Sequence, residues 1–278
     1  MDTIHVALAL LSALLHASWN AAIKASARPT EVMTAQMLAS GLIAVPMLLW
    51  AGLPAPAAWP FLAGSAAISV VSTALLLRAY ELGGFGAVYP VVRAVSVLLV
   101  VPLAAVVTGD RLGPGALAGV ALIAAALALL ARGARHDGAF TPRALGWTVA
   151  AGAATAAYVM CDANGVRAAE SPLAYGCLAS IANAATMSWR QRHLGSPWAL
   201  LCAHWAIAVP ASAAAMASYL LILWVWTHAP IAPAAALRDT SAVFAILIAV
   251  VWMREPFTPA RLLAALLAAA AVPLLRLA

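Results

Sequence analysis

The sequence predicts an all-α integral membrane protein, with ten transmembrane helices arranged as two inverted five-helix repeats. Three observations predict it: the composition, the spacing of the apolar runs and an internal repeat. Of the 278 residues, 65% are hydrophobic and 9% charged. A soluble domain carries about 25% charged residues. So few polar groups cannot cover so much apolar surface in water, so the solvent of this chain is a bilayer. The net charge of +6 does not point to nucleic acid, which is excluded as a partner. The basic residues stand between apolar runs, where they read as topology signals.

A spanning helix needs about 20 mostly apolar residues, and ten runs qualify. The first, 4–24, ends ahead of Arg28-Pro29. Asp2 and His5 replace a basic leader and polar residues interrupt the run, so it reads as a span and not as a cleaved signal peptide. The second, 31–51, stops at Gly52-Leu53-Pro54-Ala55-Pro56, and the third, 58–79, ahead of Gly83-Gly84. The fourth, 85–108, and the fifth, 113–132, are divided by Gly109-Asp110-Arg111-Leu112-Gly113-Pro114. The longest polar gap, Arg132 to Arg143, joins two halves, 1–135 and 136–278. The sixth run is 144–166, and Ser171-Pro172 opens the seventh, 172–189. Gly195-Ser196-Pro197 precedes the eighth, 203–227; the ninth, 232–253, stops at Arg254-Glu255-Pro256; the tenth is 258–276. Glycine and proline at these joints are the expected breakers. No loop is long enough for a soluble catalytic domain, so any activity is built from helices.

The repeat appears when the second half is laid on the first at an offset of 145. Arg93 then meets Arg238, Ser96 meets Ser241, Asp110 meets Glu255, Pro114 meets Pro259 and Leu117 meets Leu262. Alanine and leucine matches carry little weight in so biased a sequence, but Arg, Ser, acidic and Pro matches carry more. An offset of 142 pairs His16 with Tyr158 and Asn20 with Asp162 near the front of each half. Five is odd, so two such repeats insert with opposite orientation. Inverted repeats are a hallmark of secondary transporters, with the site near the midplane between them. Broken segments at matching positions point to that site. "ELGGFGAVYPVVR" and "THAPIAPAAALR" fit, as hinge or helix-start regions entering spans four and nine.

With its ten spans, its 5+5 repeat, the Trp19-Asn20 pair late in span one, "GDRLGPGALAGVALIAAALALL" and the second copy "REPFTPARLLAALLAAAAVPLL", the chain resembles the EamA family of the drug/metabolite transporter superfamily. The resemblance covers nearly the whole chain and implies that superfamily's fold and the export of amino acids, drugs or other small metabolites, with amino acids foremost. It also implies a bacterial inner-membrane location. Two positions depart from the pattern. The acidic residue after span four is Asp110 in place of Glu. Span one has His16 and Asn20 where small multidrug relatives carry a proton-exchanging Glu.

The scarce polar residues within spans are the candidate substrate-binding set: His16, Trp19, Asn20, Tyr89, Arg93, Ser96, Tyr158, Asp162, Arg238 and Ser241. An Arg near a helix centre costs roughly 2.5–3.5 kcal/mol on insertion scales. Arg93 and Arg238 therefore either face a cavity and bind a substrate carboxylate, or snorkel or pair within the protein; Asp239 is a candidate partner for Arg238. His16, Trp19 and Asn20 share a helical stripe, which is either a cavity wall or interhelical glue worth about 0.6 kcal/mol per hydrogen bond. His16 is also a candidate proton carrier. Asp162 either meets a substrate ammonium or sits at a helix end close to water. Tyr80, Tyr219 and Trp224 read as path-lining or interface aromatics, and the remaining Trp side chains as belt and packing. Cys161, Cys177 and Cys202 lack ligand spacing and read as small core residues.

Lys24, Arg28, Arg78, Arg132, Arg135, Arg143, Arg190, Arg192, Arg254 and Arg261 fall after odd-numbered spans, whereas Arg111, Arg167 and Arg276 fall on the other side. The positive-inside rule places both termini outside the cytoplasm, against the family's usual drawing. The sequence predicts a secondary transporter of small metabolites, with membrane lipid around it and a single copy sufficing. No metal, cofactor or catalytic set is expected: Walker, GxSxG and HExxH motifs are absent. A drug or amphiphile exporter, or a lipid flippase on the same fold, is the competing reading.

Overall fold

The structure is a computed structural model that describes residues 1–82, 85–109, 112–135, 141–252 and 258–276. Asp110, Arg111, Arg254 and Glu255, and with them one of the repeat matches, lie outside the described residues, as does the side chain of Tyr80. The described residues form eleven α-helices, two short 3₁₀ turns and no strand. The helices are α1 (Thr3–Lys24), α2 (Pro29–Ala51), α3 (Trp59–Leu82), α4 (Phe85–Val107), α5 (Pro114–Arg135) and α6 (Pro142–Ala168). They continue with α7 (Pro172–Arg190), α8 (Pro197–His228), α9 (Ile231–Asp239), α10 (Ser241–Trp252) and α11 (Pro259–Arg276). Six stretches are long and apolar enough to cross a membrane: Thr3–Lys24, Pro29–Ala51, Pro56–Leu76, Pro142–Ala168, Pro197–His228 and Ile231–Trp252. The outside of the bundle suits lipid, with Leu49, Trp50, Val106 and Val251 more than four-fifths exposed.

Helix starts follow local chemistry. Pro29, Pro114, Pro142, Pro172, Pro197 and Pro259 stand first in their helices, where the missing N–H costs nothing and φ is preset. Thr141 and Ser171 add N-caps, their hydroxyls accepting from Ala144 N and Ala174 N at 3.2 Å each. Gly52, at φ 78°, ends α2. The eighth run begins six residues earlier than its hydropathy suggests and makes a helix of 32 residues. That helix departs from helical geometry at His204, whose Nε2 lies 3.0 Å from Glu31 of α2.

The ninth run is not one helix. It breaks at Thr240, which donates its hydroxyl to Leu237 O at 2.6 Å and whose own carbonyl receives Val243 N and Phe244 N. Arg238 and Asp239 are the last two residues of α9, and α10 starts at Ser241. A cation at a helix C-terminus, as Arg238 is, gains from the helix dipole.

Small residues let the helices approach closely. A Cβ on Gly152 of α6 would lie 2.6 Å from Val95 Cβ of α4, and one on Gly41 of α2 would lie 2.6 Å from Ala184 Cβ of α7. Hydroxyl pairs tie two further contacts. Ser12 of α1 and Ser218 of α8 each donate to the other's carbonyl, at 2.7 and 2.8 Å. Ser72 of α3 meets Thr155 of α6 at 3.3 Å. At one end of the bundle Arg167 caps the end of α8, Nε donating to Trp226 O at 2.8 Å and Nη2 to Ala229 O at 2.9 Å.

Candidate functional site

A cavity of about 560 Å³ lies within the bundle, lined by α1, α2, α3, α4, α6, α7, α8 and α9. It runs from the exposed turn between α1 and α2, at Lys24, Pro29 and Thr30, down to the buried side chains of Tyr89, Val159 and Arg238. Seven of the ten residues singled out in the sequence line it: His16, Trp19, Asn20, Tyr89, Arg93, Tyr158 and Arg238. The other three, Ser96, Asp162 and Ser241, are at most 1% exposed and stand behind the wall.

The two repeat-related arginines have different surroundings. Arg93 is held on all sides. Nη1 donates to Asp239 Oδ1 at 2.9 Å, and Nη2 reaches His16 Nε2 at 2.7 Å and Tyr89 Oη at 3.2 Å. A guanidinium only donates, so His16 Nε2 is the acceptor and the ring's proton sits on Nδ1. Trp19 meets the His16 ring edge-on, centroids 5.2 Å apart. Tyr89 Oη also lies 3.5 Å from Ser241 Oγ. Asp239 thus pairs with Arg93 across the two halves and makes no ion pair with its neighbour Arg238, since successive side chains of a helix point in different directions. Arg238 is 8% exposed. Among the described residues it makes no hydrogen bond or ion pair, and its buried Nε lacks an acceptor. Its Cζ stands 6.0 Å from the Trp226 ring.

Asp162 is a second-layer group and does not reach the cavity, which corrects its assignment to a substrate ammonium. Its carboxylate accepts from Ser65 at 2.6 Å, Tyr175 at 3.0 Å and Tyr219 at 2.7 Å. Burial leaves no water to serve it, so hydroxyls from α3, α7 and α8 do so instead. Tyr219 and Tyr158 form the wall between Asp162 and the cavity. Asn20 donates its amide back to His16 O at 2.8 Å.

Sequence reasoning missed part of the wall. Gln36 and Ser40, hydrogen-bonded at 2.9 Å, come from α2. Ser72 and Thr73 come from α3, Thr155 from α6 and Asn183 from α7. Gln36 and Asn183 are isolated amides in apolar runs, and that was the available signal. Single hydroxyls carry none, since they also bond their own helix, as Thr155 does with Ala151 O. Met33, Met37, Met187 and Met216 supply an adaptable apolar surface. Trp224 is not on the path but stacks on His228, centroids 4.2 Å apart, at the far end of the bundle. Cys202 is exposed on α8 and not in the core. Among the described residues no group of three or more His, Cys, Asp or Glu side chains is placed to hold a metal.

Fold and cavity thus define a helical protein with segments fit to cross a membrane. No protein-family model matches the chain, and no curated protein matches it. Among solved structures 28 chains match. One, described only as "Crystal structure of protein", superposes with a TM-score of 0.78 over 100% of this chain and 98% of that one, at 18% identity. At that identity the likeness speaks for the fold alone.

Proposed function

We propose that the protein is a secondary transporter that exports small metabolites, amino acids among them, across the bacterial inner membrane. The reading has ten spans in two inverted five-helix repeats of the EamA kind, α9 and α10 together making the ninth span. The two repeats alternate access to the cavity between them. The single observation that carries it is the cavity itself. It is large enough for a small metabolite, walled by helices of both halves, open at one end and floored by buried charge. Intramembrane ionisable residues facing such a space mark substrate paths.

The packing supports the repeat. Ser12 and Ser72 recur as hydroxyls 143 and 146 positions on, at Thr155 and Ser218. The two hydrogen-bonded pairs, α1 with α8 and α6 with α3, exchange when the repeats are exchanged. The open end lies beside Lys24 and Arg28, which the positive-inside rule assigns to the cytoplasm. A site loaded from that side suits an exporter.

The test is flux through purified protein in liposomes, using radiolabelled amino acids and other small amphiphiles with and without a pH gradient. Saturable, protein-dependent movement is expected, reduced in His16→Ala and Asn20→Ala. If no solute of the panel moves while the protein remains folded, the transport reading fails. Dependence on the gradient decides whether protons drive the cycle.

A further inference from the structure

The Arg238 guanidinium is a buried cation with no carboxylate in direct contact among the described residues. It lines the cavity, is 8% exposed, and among the described residues has neither hydrogen bond nor ion pair. The carboxylates nearest to hand are already committed: Asp239 to Arg93, and Asp162 to three hydroxyls behind the wall. Buried charges in proteins are otherwise paired. A second cavity-lining donor, Trp19 Nε1, is also buried without an acceptor. Both unmet groups are donors. Among the described residues, none that lines the cavity is Asp or Glu.

We propose that Arg238 is the seat of the cargo's carboxylate, and that the cavity selects small monocarboxylates with an apolar body, reading the acid and not an amine. This rests on the cavity being the transport site. The placement of charge points to the class: Arg93 is ion-paired with Asp239 and Asp162 stands behind Tyr158 and Tyr219, so Arg238 is the cation on the floor open to a carboxylate. The fork of a guanidinium meets both oxygens of a carboxylate. Met33, Met37, Met187 and Met216 give the apolar body a surface that adapts to its shape. Among the described residues no carboxylate on the wall answers a cationic head group, so an ammonium is tolerated beside the aromatic and hydroxyl groups without being selected.

The experiment uses the full chain purified in detergent and three probes that share a phenylethyl group: phenylalanine, 3-phenylpropionate and 2-phenylethylamine. Binding is measured by calorimetry and by the shift of the thermal unfolding midpoint. The two acids are expected to bind within about threefold of each other, and the amine more weakly by about tenfold or more. Arg238→Met is expected to lose the acids by a similar factor without a lower midpoint in the absence of ligand, because an apolar chain replaces an unpaired charge. Arg238→Gln serves as a second neutral variant. Should neither fold, the comparison of acid with amine on the unaltered chain decides alone. An amine that binds as tightly as the acids, or acids held unchanged by either variant, overturns the proposal. Acid binding that depends on Arg238 without flux in liposomes upholds the seat and removes the transport reading. Flux of amines in preference to acids keeps transport and removes the seat.

Discussion

Arg93 and Arg238 differ in pairing: the first is ion-paired and hydrogen-bonded, the second has neither among the described residues. Arg93 and Asp239 are side chains only 11% and 7% exposed, joined at 2.9 Å across the halves. Removing one partner of a buried pair strands the other, at a cost of about 3–5 kcal/mol. Arg93→Gln is therefore expected to lower thermal stability by that order, and Arg93→Gln with Asp239→Asn to recover much of it. A double-mutant cycle on thermal unfolding in detergent checks this; additive losses would mean that the two groups are not coupled. Asp162 gives a second residue-scale prediction. It anchors Ser65, Tyr175 and Tyr219, and hydrogen bonds to a charged group are worth roughly 1.5–3 kcal/mol each. Asp162→Ala should cost several times what Ser65→Ala costs and should loosen Tyr219 at the cavity wall. Equal losses on thermal unfolding would show that the carboxylate is not the hub. The sequence marked Asp162 as scarce and intramembrane, but not as shielded and fully hydrogen-bonded, because that depends on Ser65, Tyr175 and Tyr219, the last 57 positions away.

At the scale of the element, packing distance controls what is tolerated. Gly152 brings α6 against α4 so closely that a Cβ there would stand 2.6 Å from Val95 Cβ and 3.0 Å from the Val92 carbonyl oxygen. Backbone cannot yield as a flexible side chain can. Gly152→Val is expected to destabilise by about 1–3 kcal/mol through overpacking, whereas Gly146→Val, with open space around its Cβ, should be near neutral. Matched thermal melts of the two variants test the difference. Most helix ends were legible, because Pro at first turns and Gly at breaks act through local backbone geometry. The break at Thr240 was not legible. "ALRDTSAVF" contains neither Gly nor Pro, and the division is marked only by Thr240, whose hydroxyl bonds Leu237 O, a bond that Thr also makes inside unbroken helices.

Across the whole molecule, the two halves are packed into each other. α3 lies on α6, α2 on α7 and α8, α1 on α8, and α5 on α11. Each half alone would expose the faces bearing Ser12, Gly41 and Arg93 that the other half covers. Residues 1–135 or 136–278 expressed alone are therefore expected to aggregate. Co-expressed, they should associate into one species that co-purifies by size exclusion and unfolds in a single transition. A half that purifies alone as a stable monomer would contradict this dependence.

The sequence by itself determined that the chain is built of apolar helices suited to a bilayer, where most of them start, and that His16, Trp19, Asn20 and Arg93 are scarce polar or aromatic groups within apolar runs. These follow from composition and near-neighbour backbone rules, which act over a turn or two of helix. Only the tertiary structure decided which charges meet. Arg93 reaches Asp239 146 residues away, Asp162 withdraws behind Tyr158 and Tyr219, and Arg238 is left facing the cavity. Pairing in a medium of low dielectric is settled by distance in space, and no local pattern along the chain records that distance.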